Sequence, residues 1–143
     1  MESRALATWE GDLKSGSGST TLASGAGGPL PVTWASRTET ADGRTSPEEL
    51  IAAAHAACFS MALSNRLAQA GHVPIRLETE AVASFDRTDA GWRLTTMSLS
   101  VRGEVPGMDA DSFSEHAEGA KEGCPVSNAL KGNVEISVAS TLL

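Results

Sequence analysis

Two cysteines hold the chain's readiest chemistry, and each takes its character from its neighbours. Cys58 sits among alanines in the run AAAHAACFSMAL, where a thiol packs as a small apolar group and desolvation raises its pKa. A thiol in that setting reacts at neutral pH only beside a cation. Arg37, which precedes the run, is the candidate cation, and Glu48 or Glu49 at its start can fix the guanidinium by bidentate hydrogen bonding. The plainer reading of these charges is a solvated arginine and two carboxylates that complement a helix dipole. Cys124, in EGCPVS, lies between a glycine and a proline at an N-cap-like position whose unpaired N–H groups favour a thiolate. By its neighbours, Cys124 is the more acidic of the two. If a helix starting at Pro125 packs end-on against the run around Cys58, the sulfurs come within disulfide distance, with Cα atoms about 4.4–6.8 Å apart. The pair can then cycle between dithiol and disulfide.

Other chemistries find less support. His55 and Cys58 share a helical face as half a metal site would, but no second pair stands at ligand spacing, and His72 and His116 are isolated. Gly16, Gly18, Gly25, Gly27 and Gly28 do not form a strand-to-helix phosphate loop, and no Gly-x-Ser-x-Gly elbow occurs. Two cysteines this far apart make neither a disulfide framework nor a zinc ribbon.

The element that must position Cys58 is a long helix within residues 45–71. Ser46 stands at the N-cap, Pro47 at the first helical position, Glu48 and Glu49 in the first turn, and Gly71 at the C-terminal end. Such a helix is roughly 36 Å long. Its middle is apolar nearly all round, so it is expected to be buried on more than one side and to form part of a homodimer interface. Helical phase separates Glu48 from Cys58 by about 80° around the axis and about 15 Å along it. Any link between them therefore runs through a third group or another chain.

Before that helix, residues 4–11, 20–24 and 32–37 read as an antiparallel meander of three strands, with Arg37 at the end of the third. After it, residues 75–86 and 92–104 alternate as a hairpin. Residues 109–122 read as a helix with Phe113, His116, Ala117 and Ala120 roughly on one face. A short helix follows from Pro125, ended by Gly132, and then a last strand over residues 134–142. The order β-β-β-α-β-β-α-α-β, with helices segregated from runs of strands, implies an α+β fold with antiparallel-rich sheets packed on the long helix.

The totals narrow the partners. A length of 143 residues is that of a single domain, and 11 basic against 18 acidic residues, net −7, argues against a nucleic-acid partner. The longest apolar stretch, residues 50–61, is too short to span a bilayer, and the N-terminus lacks an apolar signal segment. A cytoplasmic location away from membranes is the expectation.

Two segments carry a family resemblance: TSPEELIAAAHAACFSMALS and EGCPVSNALK look like the two cysteine motifs of the OsmC/Ohr family, on its OsmC branch. TWEGDLKSGSGS, DRTDAGWRLTTMSLSV and VPGMDADSFSEHAEGAKEGCPVS agree with it, so the resemblance covers nearly the whole chain as one OsmC-like domain over residues 1–143. It implies an α+β protein that forms an intertwined homodimer with active sites at the subunit interface and reduces organic hydroperoxides with thiols. In that family's terms Cys58 is the peroxidatic cysteine and Cys124 the resolving one. Glu48 matches the active-site glutamate, and Arg37 the arginine that stabilises the thiolate, with Arg44 as the fallback. The resemblance implies no metal, haem or flavin, and a dithiol reductant such as a lipoylated protein. It reverses the order suggested by the neighbours alone, giving first attack to Cys58. The reading from another class is a non-catalytic domain whose apolar cleft binds a small hydrophobic ligand.

Overall fold

In the computed structural model, which describes residues 1–143, the chain forms six strands and four helices in two units, Met1–Leu50 and Ile51–Leu143. The first unit holds the expected meander: β1 (Ala5–Glu10), β2 (Ser17–Leu22) and β3 (Leu30–Val32) pair antiparallel in that order. Trp9 lies opposite Gly18, and a Cβ at Gly18 would stand 2.9 Å from the indole ring, so the close pass of Trp9 requires glycine there.

The third strand is shorter than expected. It stops at Val32, and Trp34–Thr38 forms a one-turn helix, α1, in place of a strand that continues to Arg37. Thr33 caps it, its side chain accepting from the Ser36 N–H at 3.0 Å while Ser36 Oγ accepts from the Thr33 N–H at 3.0 Å. This reciprocal cap supplies partners for two N–H groups that a strand would otherwise have to pair. The element order is thus the expected one with α1 added before the long helix.

The long helix, α2 (Pro47–Gln69), forms as its end signals imply. Ser46 Oγ accepts from the Glu49 N–H at 3.1 Å. At the far end Gly71, with φ of 88°, lets the His72 N–H reach the Leu67 carbonyl at 2.9 Å and the Gly71 N–H reach that of Ala68 at 3.0 Å.

In the second unit, α2 buries one stripe, Ala52, His55, Phe59, Leu63 and Leu67, at one step of three followed by steps of four. The opposite positions Ala53, Ala54, Ala57 and Met61 stay exposed. A single chain therefore covers one side of the helix, where the sequence implies more than one. Strands β4 (Arg76–Thr88) and β5 (Gly91–Glu104) form the expected hairpin, closed by a stack of Phe85 on Trp92 with centroids 5.1 Å apart. Helices α3 (Ala110–Gly123) and α4 (Pro125–Leu130) lead back to β6 (Glu135–Leu142), which pairs parallel to β5. The core joins Phe59, Leu63 and Leu67 of α2 to Leu99 and Val101 of β5 and to Phe113, Ala117 and Ala120 of α3, with Cys124 at its edge. Gly103 makes room in β5 for the Phe113 ring, which a Cβ would meet at 2.4 Å. No helix is long and apolar enough to cross a membrane.

Candidate active site

A buried charge pair is assembled inside the first unit. Ser36 Oγ lies 2.9 Å from both the Thr33 and Thr45 carbonyls, and the Thr45 N–H donates to the Pro31 carbonyl at 2.9 Å. These bonds tie α1 and β3 to the chain that enters α2, and so bring Arg37, on α1, to Glu48 in the first turn of α2. Arg37 Nε is 3.0 Å from each Glu48 carboxylate oxygen, and Nη2 donates to Oε1 at 2.6 Å. The Glu48 side chain is 9% exposed and that of Arg37 32%. A carboxylate this buried, held by three charge-assisted contacts, fixes the guanidinium's plane as well as its position. The Arg37 Cζ also lies 5.9 Å from the Trp34 ring centroid.

Glu48 is the partner of Arg37, which the charges alone leave open between Glu48 and Glu49 and the resemblance names. Glu49 instead accepts from Thr45 Oγ1 at 3.2 Å. Arg44, the fallback cation, pairs at 3.3 Å with Asp42 on an exposed loop. One edge of Arg37 faces an apolar recess of about 350 Å³ lined by Trp9, Leu13, Val32, Trp34 and Pro47.

A thiol pair is assembled inside the second unit. Cys58 is half-buried on α2, and Cys124 is fully buried at the joint where it serves as the C-cap of α3 and the N-cap of α4. Both are free thiols. Burial pushes the Cys58 thiol above its usual pKa, the Val126 backbone N–H directed at its sulfur acts the other way, and the Cys124 thiol, within interacting distance, raises it further. The structure thus brings the two cysteines together, as it does Arg37 and Glu48.

The neighbours of Cys124 imply that the N–H groups opening the short helix favour a thiolate at Cys124 itself. The structure differs on where that donation goes: Cys124 makes no side-chain cap hydrogen bond, and the N–H of Val126 is aimed at Cys58. An N-cap side chain with weak acceptor sulfur leaves the first N–H groups to the neighbouring helix, which here presents the other cysteine. Cys58 also lines an open cleft of about 490 Å³ with Met61, Ala62, Asn65, Arg66 and Pro125, to which Cys124 contributes nothing.

One buried polar contact has no counterpart in the motif reading. His55, fully buried one turn before Cys58, lies with Nε2 2.7 Å from Oγ of Ser127, one turn after Cys124. Its Nδ1 is buried with no hydrogen-bond partner, and burial holds its pKa below the ordinary histidine value. The sequence offers no signal for this contact, since Ser127 lies 72 positions from His55.

The model of the family described as "OsmC-like protein" matches residues 40–139. The chain belongs to the OsmC-like family. This OsmC-like chain is 44% identical to Peroxiredoxin OsmC of Escherichia coli over 136 residues, covering 95% of this chain and 94% of that protein. It is 35% identical to the organic hydroperoxide resistance protein OhrA of Bacillus subtilis over 96 residues, 66% of this chain and 65% of that one. Its fold is shared with the crystal structure of OhrB from the same organism, at 26% identity and a TM-score of 0.76 over 96% of this chain and 98% of that one. The α+β architecture implied by the resemblance is therefore the architecture found.

Proposed function

We propose that this protein is a thiol-dependent peroxidase that reduces organic hydroperoxides to alcohols, with Cys58 as the attacking sulfur and Cys124 as the resolving one. The observation that carries this reading is the unequal access of two neighbouring thiols. Cys58 opens on a cleft, while Cys124 is sealed beside it. The names of the relatives, a peroxiredoxin and organic hydroperoxide resistance proteins, supply the substrate class.

In the proposed cycle the Cys58 thiolate attacks the outer peroxide oxygen, the O–O bond breaks, and the alcohol leaves with a proton. The Cys58 sulfenic acid is then attacked by Cys124: the S–O bond breaks, an S–S bond forms, and water departs. An external dithiol, such as a lipoylated protein, restores both thiols by exchange and leaves as its own disulfide. No metal, haem or flavin takes part in this scheme. Burial alone works against the thiolate, so the cycle needs a cation, and Arg37, fixed by Glu48, is the one proposed.

Further parts of the proposal concern assembly. The two units form one OsmC-like domain, a reading supported by a family match over residues 40–139 that crosses their boundary and by a relative aligned over 95% of the chain. The chain works as a homodimer in the cytoplasm. The exposed small-residue face of α2, with Met61 67% exposed, is of the kind a second copy covers. Light scattering at micromolar concentration is expected to report a dimer, and a stable monomer would remove this part.

Mixing the reduced protein with cumene hydroperoxide and counting free thiols tests the function. Rapid loss of two thiols per chain, abolished in Cys58→Ser, is expected. Thiols that stay unreactive would overturn the peroxidase in favour of a domain that merely binds a small apolar ligand.

A further inference from the structure

We propose that His55 and Ser127 are positioning residues, whose buried hydrogen bond holds Cys124 within reach of Cys58 for disulfide formation. The proposal rests on the two-cysteine reading above, but the geometry behind it is independent of any peroxide.

Helix α4 has six residues and little to hold it from within. It starts at Pro125, lacks a side-chain cap at Cys124, and ends before Gly132. A helix of this length is marginal without tertiary contacts. Its polar ties to the end of α3 are at the surface: Asn128 Nδ2 to the Glu122 carbonyl at 3.2 Å, and Lys131 to the Glu122 carboxylate at 3.2 Å. The His55–Ser127 bond, by contrast, joins α4 to α2 in the interior, with His55 wholly inaccessible and Ser127 4% exposed. A polar pair withdrawn from water is costly to separate, because neither partner finds a replacement.

The spacing gives that bond its consequence. His55 precedes Cys58 by three residues on α2, and Ser127 follows Cys124 by three at the opening of α4. Residues three apart on a helix are neighbours on one face. The hydrogen bond therefore pins α4 to α2 one turn from the two thiols, and Cys58 and Val126 pack against the core that holds Cys124. Pinned at that point as well as packed, α4 is restricted in its rotation, and with it the direction of the Cys124 side chain.

Nδ1 has no partner in either neutral tautomer, so the ring's one polar tie is the 2.7 Å contact of Nε2 with Ser127 Oγ, in which the tautomer decides which side donates. Glutamine at position 55 can offer an amide N–H from a similar reach; alanine cannot.

The test measures disulfide formation apart from peroxidase activity. The full-length protein is equilibrated in mixtures of reduced and oxidised dithiothreitol, and the Cys58–Cys124 disulfide is quantified by intact mass after alkylation. In Ser127→Ala, which removes one hydroxyl and keeps the fold, the disulfide-to-dithiol ratio at a fixed buffer composition is expected to fall roughly tenfold. His55→Ala falls alike, the double variant falls no further than either single one, and His55→Gln recovers most of the ratio. A ratio within twofold of the parent protein in Ser127→Ala, or no recovery in His55→Gln, would overturn the positioning role. A second reading uses cumene hydroperoxide. If the clamp aligns Cys124 for resolution, Ser127→Ala shifts Cys58 from disulfide toward sulfinic acid, formed when a second peroxide oxidises the waiting sulfenic acid. A parent protein that forms the disulfide in dithiothreitol buffer yet ignores peroxide would sink the peroxidase and leave the clamp standing.

Discussion

The first unit holds a charge pair and the second a thiol pair, and the two are stabilised by opposite means. Arg37 and Glu48 are partly withdrawn from water yet remain a matched ion pair, because three contacts of 2.6–3.0 Å replace the solvent that each loses. Cys58, beside Cys124, sits where burial favours its neutral thiol, and only the Val126 N–H acts in the other direction. Strong partners allow a buried site to keep its charges, whereas a nearly apolar one suppresses them. A sulfur in the second setting is sheltered and poorly nucleophilic until a cation of the first kind is brought to it.

Several variants would break that contrast, and the largest effect is expected at Cys124. Cys124→Ser keeps the first attack but stops turnover after one peroxide per chain and leaves Cys58 open to overoxidation. Steady-state peroxide consumption with excess dithiol then drops to background, and a variant that still cycles normally would refute the resolving role. Next comes Arg37→Gln, which keeps a polar N–H donor but removes the charge. The first step should slow by roughly a hundredfold, the scale set by removal of one preorganised electrostatic donor, and stopped-flow thiol loss would measure it. Glu48→Gln leaves the guanidinium but loosens it. About 2 kcal/mol of stability is expected to go with the charge-assisted contacts, with roughly a tenfold slower first step if that energy serves positioning. Urea unfolding and the same kinetic assay report the two parts.

The smallest effect belongs to the buried histidine. Burial depresses His55 below the ordinary value of 6.5, so below that pH the unfolded chain takes up a proton that the folded chain resists. Its contribution is therefore intact above about pH 6.5 and lost progressively as pH falls toward the lower folded value. Denaturant titrations over that range should show stability falling with acid in the parent protein and a flatter profile in His55→Gln. Equal slopes would place the acid sensitivity elsewhere.

The parts legible in the sequence are those that local signals specify. Ser46, Pro47 and Gly71 mark the ends of α2 because capping and positive φ act within a few residues, and alternation in β5 marks Met97, Leu99 and Val101 as its buried face. Helix α1 escapes because Val32, Thr33 and Trp34 read as strand, while its cap pairs Thr33 with Ser36 where the usual signal is glutamate or glutamine. The parallel pairing of β6 with β5 escapes too, since alternation fixes a strand's faces and says nothing of its partner's direction. In the site, residue types and motif identity single out Cys58, Cys124, Arg37 and Glu48. The His55–Ser127 contact joins residues 72 positions apart, and only the folded chain reveals it.

The central claim, that the Arg37 charge sustains the Cys58 thiolate, is tested most directly by titrating that thiol alone. In a Cys124→Ser background, the ultraviolet absorbance of the thiolate is followed against pH with and without Arg37→Gln, at a concentration where the protein has its working oligomeric state. Loss of the guanidinium should move the titration upward by about one pH unit or more, in line with about 1.4 kcal/mol per unit. Superimposable titration curves would contradict the claim and leave the thiolate to the Val126 N–H and to Arg66, which lines the same cleft as Cys58.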